Sequence, residues 1–193
     1  MTFSSPQVEQ RLRQGFRHFN RLMVLMFRLG LPRWVQFWPS VTGRILVLLH
    51  KGRKSGLVRR TPLNFTEIDG DLYVTAGFGA VADWYRNVRA DPHVEVWLPD
   101  GWWSAEAEDV SDHPHRLRLM RAVLVDSGFA AYAFGVRPGL PDERLDLLTA
   151  KYRLLRLRRT GARSGPGGPG DLAWVWPATA CVLLPLALRR CRR

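Results

Sequence analysis

The stretch Gly52-Arg53-Lys54-Ser55-Gly56-Leu57-Val58-Arg59-Arg60-Thr61-Pro62 holds the residues best suited to chemistry in this chain. Glycines bracket three polar side chains, and two more arginines follow within four residues. Such a segment can clamp an anion. Glycines let the backbone turn sharply and present N–H groups. Arg53, Lys54, Ser55 and Arg59 supply charge-assisted donors to phosphate or carboxylate oxygens. A plain basic hairpin tip accounts for the same residues. The spacing G-x-x-x-x-G-K-[ST] is missing, so this is not a Walker A loop. A second stretch, Ala76-Gly77-Phe78-Gly79-Ala80, is followed closely by Asp83-Trp84-Tyr85-Arg86-Asn87. Small residues at a strand end let a planar ligand approach the backbone, and an aromatic pair can wall a flat pocket. Trp84 as the core anchor of a short helix is the competing reading.

The elements that must hold these segments are legible from hydrophobic period. Residues 7–29 read as an amphipathic helix, with Val8, Leu12, Phe16, Phe19, Met23, Met26 and Phe27 at spacings of three and four, ended by Gly30 and Pro32. Ile45 to Leu49 is a continuous apolar run, as in a buried strand. Apolar segments 63–68 and 72–76 flank Asp69-Gly70-Asp71, and 94–98 and 102–107 flank Pro99-Asp100-Gly101, so both pairs read as hairpins. Residues 82–90 suggest a short helix, 112–127 another with Asp112 as N-cap, 141–150 a third, and 152–157 a last strand. About six strands dominated by antiparallel hairpins give an α+β or β-barrel class, not a parallel doubly wound sheet.

The formal net charge is +12, from 29 Lys and Arg against 17 Asp and Glu, which implies an anionic partner. Nucleic acid is disfavoured, because the aromatics do not alternate with basic residues as stacking platforms do. The cysteines, Cys181 and Cys191, lie near the C-terminal end, and no Cys/His cluster has zinc-ligand spacing, so no metal site is expected. A cytoplasmic setting is the expectation. The chain divides into an N-terminal amphipathic extension (1–41), a central domain (42–160), a Gly/Pro linker (161–171) and a hydrophobic, basic tail (172–193). The tail carries 17 uncharged residues, Leu172 to Leu188, before a basic end. At 1.5 Å per residue this spans roughly 25 Å, short of the ~30 Å hydrocarbon core, and Pro177 and Pro185 should disrupt its helical ladder. Attachment to the inner face of the cell membrane competes with packing on the barrel or on a second subunit in a homodimer.

Taken in order, the matched stretches Gly52 to Pro62, Asp69 to Asp71, Ala76 to Ala80 and Asp83 to Pro92 resemble the deazaflavin-dependent nitroreductase family, over about Thr42 to Arg158. The resemblance implies a split β-barrel of about six mostly antiparallel strands with flanking helices, binding coenzyme F-420, a deazaflavin with a phosphate and an acidic tail. It implies that Arg53, Lys54, Ser55 and Arg59 hold the phosphate and tail, and that Pro62, Leu63 and Asn64 pass beside the ring. Ala76, Gly77 and Gly79 let the ring sit against backbone, and Trp84 and Asn87 close that end of the pocket. Tyr132 matches a tyrosine over the acceptor and is the candidate catalytic residue, while Phe129 replaces another. The implied activity is hydride transfer from reduced F-420 to a small organic acceptor such as a quinone or nitro compound. The competing expectations are an FMN-binding split-barrel oxidoreductase and a non-catalytic membrane-attached module that binds a cofactor or lipid.

Overall fold

The computed structural model describes residues 6–32, 43–128, 131, 137 and 139–191. Six strands close an antiparallel barrel: β1 (Ile45–Lys51), β2 (Val58–Ile68), β3 (Asp71–Ala76), β4 (His93–Leu98), β5 (Gly101–Asp109) and β6 (Arg153–Arg163), in the order β1-β2-β3-β6-β5-β4. Pairing of β1 with β4 closes the ring and removes free sheet edges. The helices are α1 (Pro6–Arg28), α2 (Asp83–Ala90), α3 (Arg116–Val125), α4 (Asp142–Thr149) and α5 (Val175–Cys191).

Local chemistry explains the joints. Asp69 and Gly70 both adopt positive φ, at 54° and 85°, as the tight β2–β3 hairpin turn requires. β1 is apolar from Ile45 to Leu49 because both faces of that stretch are buried. Leu46 and Leu48 point into the barrel with Phe65, Val74, Val96 and Leu155, and α2 contributes Tyr85 and Val88 to that core. Val47 and Leu49 face outward, where Trp97 and the α1 residues Met23 and Phe27 cover them. α3 and α4 cover another outer face through Met120, Val123 and Leu145, against Tyr73 and Leu154.

Several boundaries depart from the sequence reading. β2 begins at Val58 and not at Leu63, so Val58–Pro62 of the presumed anion loop is strand, paired with β1 from Lys51↔Val58 to Val47↔Pro62. Its exposed arginines hid that period. α3 starts at Arg116 with His115 as its N-cap, not Asp112. Pro114 disfavours helical geometry at His113 before it. β6 runs on to Arg163, so Gly161 to Arg163 of the segment read as linker pair with Ser104 to Trp102.

The tail is docked where α1 ends. Gly170 N–H donates to Phe27 C=O, Leu172 N–H to Arg28 C=O, and Trp176 Nε1–H to Leu29 C=O. These bonds satisfy carbonyls that a helix end leaves open. Arg28 donates to Asp171 through Nε at 2.9 Å and Nη2 at 2.8 Å. α5 continues through both prolines, contrary to the expected break. Pro177 lies in its first turn, where no intrahelical N–H bond is lost. No described helix is long and apolar enough to cross a membrane.

Candidate functional site

A cleft of about 380 Å³ opens where the barrel splits. β2 and β3 are paired only from Phe65↔Val74 to Ile68↔Asp71. Beyond that point the strands diverge. Thr61, Pro62, Leu63 and Asn64 of β2 form one wall, and Thr75, Gly77 and Phe78 form the other. Asp83 and Trp84 of α2 and Ala82 just before it close one end, Phe19 and Asn20 reach in from α1, and Leu124, Ser127, Ala131 and Tyr152 are also in the lining. An apolar lining with a few polar groups suits a flat conjugated ring.

The sequence-read residues fall into three groups. Pro62, Leu63, Asn64, Gly77 and Trp84 line the cleft. Asn64 Nδ2 donates to Arg44 C=O, and Trp84 meets Tyr85 edge-on with ring centroids 6.4 Å apart. A Cβ on Gly77 would meet only the Tyr152 ring, at 3.8 Å, so the missing side chain widens the cleft. Ala76 and Gly79 support the cleft from behind. Ala76 is in the barrel core. Gly79 sits at φ 65°, and a Cβ there would lie 2.3 Å from the Lys151 carbonyl oxygen, so no other residue fits. The third group, Arg53, Lys54, Ser55 and Arg59, occupies the exposed turn and strand start beside the cleft.

That turn does not present a ring of free N–H groups, as expected from its glycines. Gly52 N–H donates to Leu57 C=O, and Ser55 and Gly56 N–H donate to Gly52 C=O. Arg53 N–H donates to Asn87 Oδ1, and Leu57 N–H to Ser55 Oγ. Most of the turn's backbone donors are already engaged, so anion binding there falls mainly to side chains. Arg53 spans to the cleft rim, donating to Asp83 Oδ1 at 3.1 Å and to Asn87 Oδ1 at 2.9 Å. Among the described residues, the side chains of Lys54 and Arg59 have neither a carboxylate nor a hydrogen-bond partner. Asn87 is buried beneath the turn and does not line the cleft. It faces the buried His50, whose other ring nitrogen lies near Thr61 Oγ1. Burial holds His50 below the ordinary imidazole pKa, the Lys51 backbone carbonyl opposes that, and Arg59 lowers it further.

The sequence reading missed Phe19, Thr61, Thr75, Ser127 and Tyr152 as cleft residues. They come from five separate places in the chain, and no local pattern links them. Tyr152 is half-buried, and burial raises its phenol pKa, so its hydroxyl stays protonated at neutral pH. Tyr132 lies outside the described residues, as does Phe129; Ala131 beside Tyr132 lines the cleft. No group of His, Cys, Asp and Glu among the described residues could hold a metal ion.

Several solved structures share parts of this architecture. An F-420-H2-dependent reductase matches at 21% identity, covering 60% of this chain and 94% of its own, with a TM-score of 0.42. A FAD-binding protein from Mesorhizobium loti matches at 20% identity over 63% and 85%, TM-score 0.42. The heme storage protein of Vibrio cholerae matches at 15% identity over 72% and 96%, TM-score 0.44. A model of the F-420H(2)-dependent quinone reductase family matches residues 21–141. That match takes in the last two turns of α1, the basic turn, the cleft residues from Thr61 to Ala131 and the whole of α2 and α3. The chain therefore belongs to the F-420H(2)-dependent quinone reductase family.

Proposed function

We propose that this protein binds reduced coenzyme F-420 in the barrel cleft and transfers its hydride to a quinone-type acceptor. The single observation that carries this reading is the junction of an apolar cleft with a basic turn whose Lys54 and Arg59 lack carboxylate partners. A deazaflavin with a phosphate and acidic tail needs both parts, a flat slot for the ring and cations for the tail. Pro62, Leu63 and Trp84 would pack on the ring and exclude water, while Lys54, Arg59 and Arg53 would hold the anionic groups. Ser55 Oγ accepts the Leu57 N–H, so its own hydroxyl hydrogen would be left to donate to the anion. When bound, the reduced deazaflavin supplies the hydride. A quinone that accepts it also needs one proton. Tyr132 is proposed to donate that proton or a hydrogen bond, and Tyr152 is the described cleft hydroxyl able to share the role. Nitro compounds are further candidate acceptors.

Fluorescence titration of the purified protein with F-420 and with FMN tests the reading. Quenching by F-420 at micromolar concentration, followed by oxidation of reduced F-420 on adding menadione, is the expected result. Binding of FMN alone overturns it in favour of a flavin enzyme. F-420 binding without turnover of any quinone leaves a cofactor-binding protein.

A second reading concerns where the acceptor is met. Leu22 and Leu25 of α1 are exposed, as are Trp174, Trp176, Val182 and Leu183 around α5. Phe19, 47% exposed, joins that surface to the cleft. We propose that these side chains rest on the cytoplasmic face of a membrane, where a lipid-soluble quinone can enter the cleft directly. Co-sedimentation with anionic vesicles, lost in Val182→Glu/Leu183→Glu, is the expected result. Equal recovery of both proteins in the supernatant overturns it.

A further inference from the structure

We propose that Thr61 is a hydrogen-bond donor to a carbonyl oxygen of the ring bound in the cleft, and that a buried relay through Asn87 and His50 fixes the direction of its hydroxyl. The inference rests on the reading that the cleft holds a planar, carbonyl-bearing ring.

The relay is fixed by which atoms can donate. Asn87 Oδ1 receives the Arg53 backbone N–H at 3.1 Å and Arg53 Nη1 at 2.9 Å. Both Arg53 groups are donors only, so the amide oxygen must face them. The amide nitrogen then faces His50, with Nδ2 3.3 Å from Nδ1. An amide NH2 only donates, so Nδ1 is the bare, accepting nitrogen. A neutral imidazole with bare Nδ1 carries its proton on Nε2. Nε2 lies 3.1 Å from Thr61 Oγ1. Thr61 therefore accepts from His50, and its own hydrogen must point elsewhere.

Burial supports this order. His50 and Asn87 are 3% and 4% exposed, out of reach of competing water. Burial also keeps the imidazole neutral, and Arg59 reinforces this. Thr61 sits on the stretch of β2 that β3 leaves uncovered and lines the cleft. Among the described residues its hydroxyl has no partner except His50. Its hydrogen is thus free for a ligand acceptor, and a carbonyl oxygen of either the deazaflavin or the quinone meets that chemistry. His50 and Asn87 act through Thr61 and are positioning residues. The Lys51 backbone raises the His50 pKa, against the larger effect of burial.

The test uses the full chain. Imidazole nitrogen NMR is expected to show His50 as the Nε2–H tautomer, and an Nδ1–H tautomer overturns the relay. Thr61→Val is expected to weaken binding about tenfold, the usual loss for one neutral hydrogen bond, and Thr61→Ser to restore it. A loss in F-420 Kd places the carbonyl on the cofactor; a rise in KM for menadione with unchanged Kd places it on the acceptor. Asn87→Asp leaves Thr61 in place but draws the proton to Nδ1, so Thr61 must donate back to Nε2. Its loss should match that of Thr61→Val, and the double variant should lose no more than either alone. Thermal unfolding of each variant separates misfolding from lost binding. Unchanged Kd and KM in folded Thr61→Val overturns the donor role. A wild-type protein with the Nε2–H tautomer that binds no F-420 overturns the functional reading instead, and the ligand half of this proposal with it.

Discussion

Two regions of this barrel carry dense positive charge and use it in opposite ways. On the β5–β6 wall four of the five β6 arginines have a carboxylate among the described residues, Arg153 being the exception. Arg156 pairs with Glu108, Arg158 with Glu106 at 2.9 Å, Arg159 with Glu67, and Arg163 with Glu95 at 3.0 Å. Arg159 and Arg163 also lie over Trp103 and Trp102. In the turn and strand start between β1 and β2, Lys54 and Arg59 have no such partner among the described residues, and Arg60 lies over the Trp97 ring. A net charge of +12 therefore does not describe a uniformly basic surface. The wall spends most of its charge on cross-strand ion pairs. The turn keeps its charge available to an outside anion.

The contrast predicts a graded series. Replacing both Lys54 and Arg59 by Ala should weaken F-420 binding the most. Each charged hydrogen bond is worth about 1–3 kcal/mol, so the double variant should lose on the order of a hundredfold or more. Isothermal titration checks this, and the salt dependence of Kd should flatten with it. Retained affinity would break the comparison.

Asp83→Asn should act in the opposite direction. Asp83 now competes for the Arg53 guanidinium at 3.1 Å from the rim of the cleft. Removing its charge frees Arg53 for the ligand and should tighten F-420 binding several-fold, since exposed pairs are worth up to about 1 kcal/mol. Weaker binding would mean that Asp83 orients Arg53 and does not compete for it.

His50 reports the field of the unpaired turn. Its unfolded pKa is about 6.5 and its folded one is lower, chiefly through burial, with Arg59 adding to the shift. Between the two values the unfolded chain binds the proton and the folded one does not. The His50 contribution is therefore complete above about pH 6.5 and declines as pH falls through the window below it. In Arg59→Gln that decline should shift to lower amplitude, read from urea unfolding at neutral and mildly acidic pH. An unchanged profile would place Arg59 too far from the imidazole to matter.

The smallest effect belongs to the wall. Arg158→Ala should change stability by less than about 1 kcal/mol, because both partners of this pair are exposed. F-420 affinity should not move. A binding loss equal to that of the turn variants would erase the distinction between the two regions.

Legibility followed distance along the chain. Asp69-Gly70 marked its hairpin because the turn's positive φ values demand those residue types locally. α2 was readable to within a residue, and so was α1. The first five residues of β2 were not, because their strand character comes from β1 beside them and not from an apolar alternation of their own. The far end of β6 was hidden for the same reason, since only β5 holds Gly161 to Arg163 in a strand. Asn87 was marked by its motif as part of the pocket wall, yet it lies under the turn, holding Arg53 and His50.

The sequence by itself determined the hairpin chemistry, the antiparallel barrel class, the basic turn and the small-residue strand end, each of which depends on neighbours within a few positions. Only the tertiary structure decided which cations remain unpaired, because that depends on carboxylates carried by other strands. It also decided that most of the turn's N–H groups are engaged, that α1 and Tyr152 reach the cleft, and that Thr61 stands at the end of a buried relay. Those outcomes join residues from α1, β1, β2, α2 and the residue before β6, and a hydrogen bond has a direction only once both of its partners are in place.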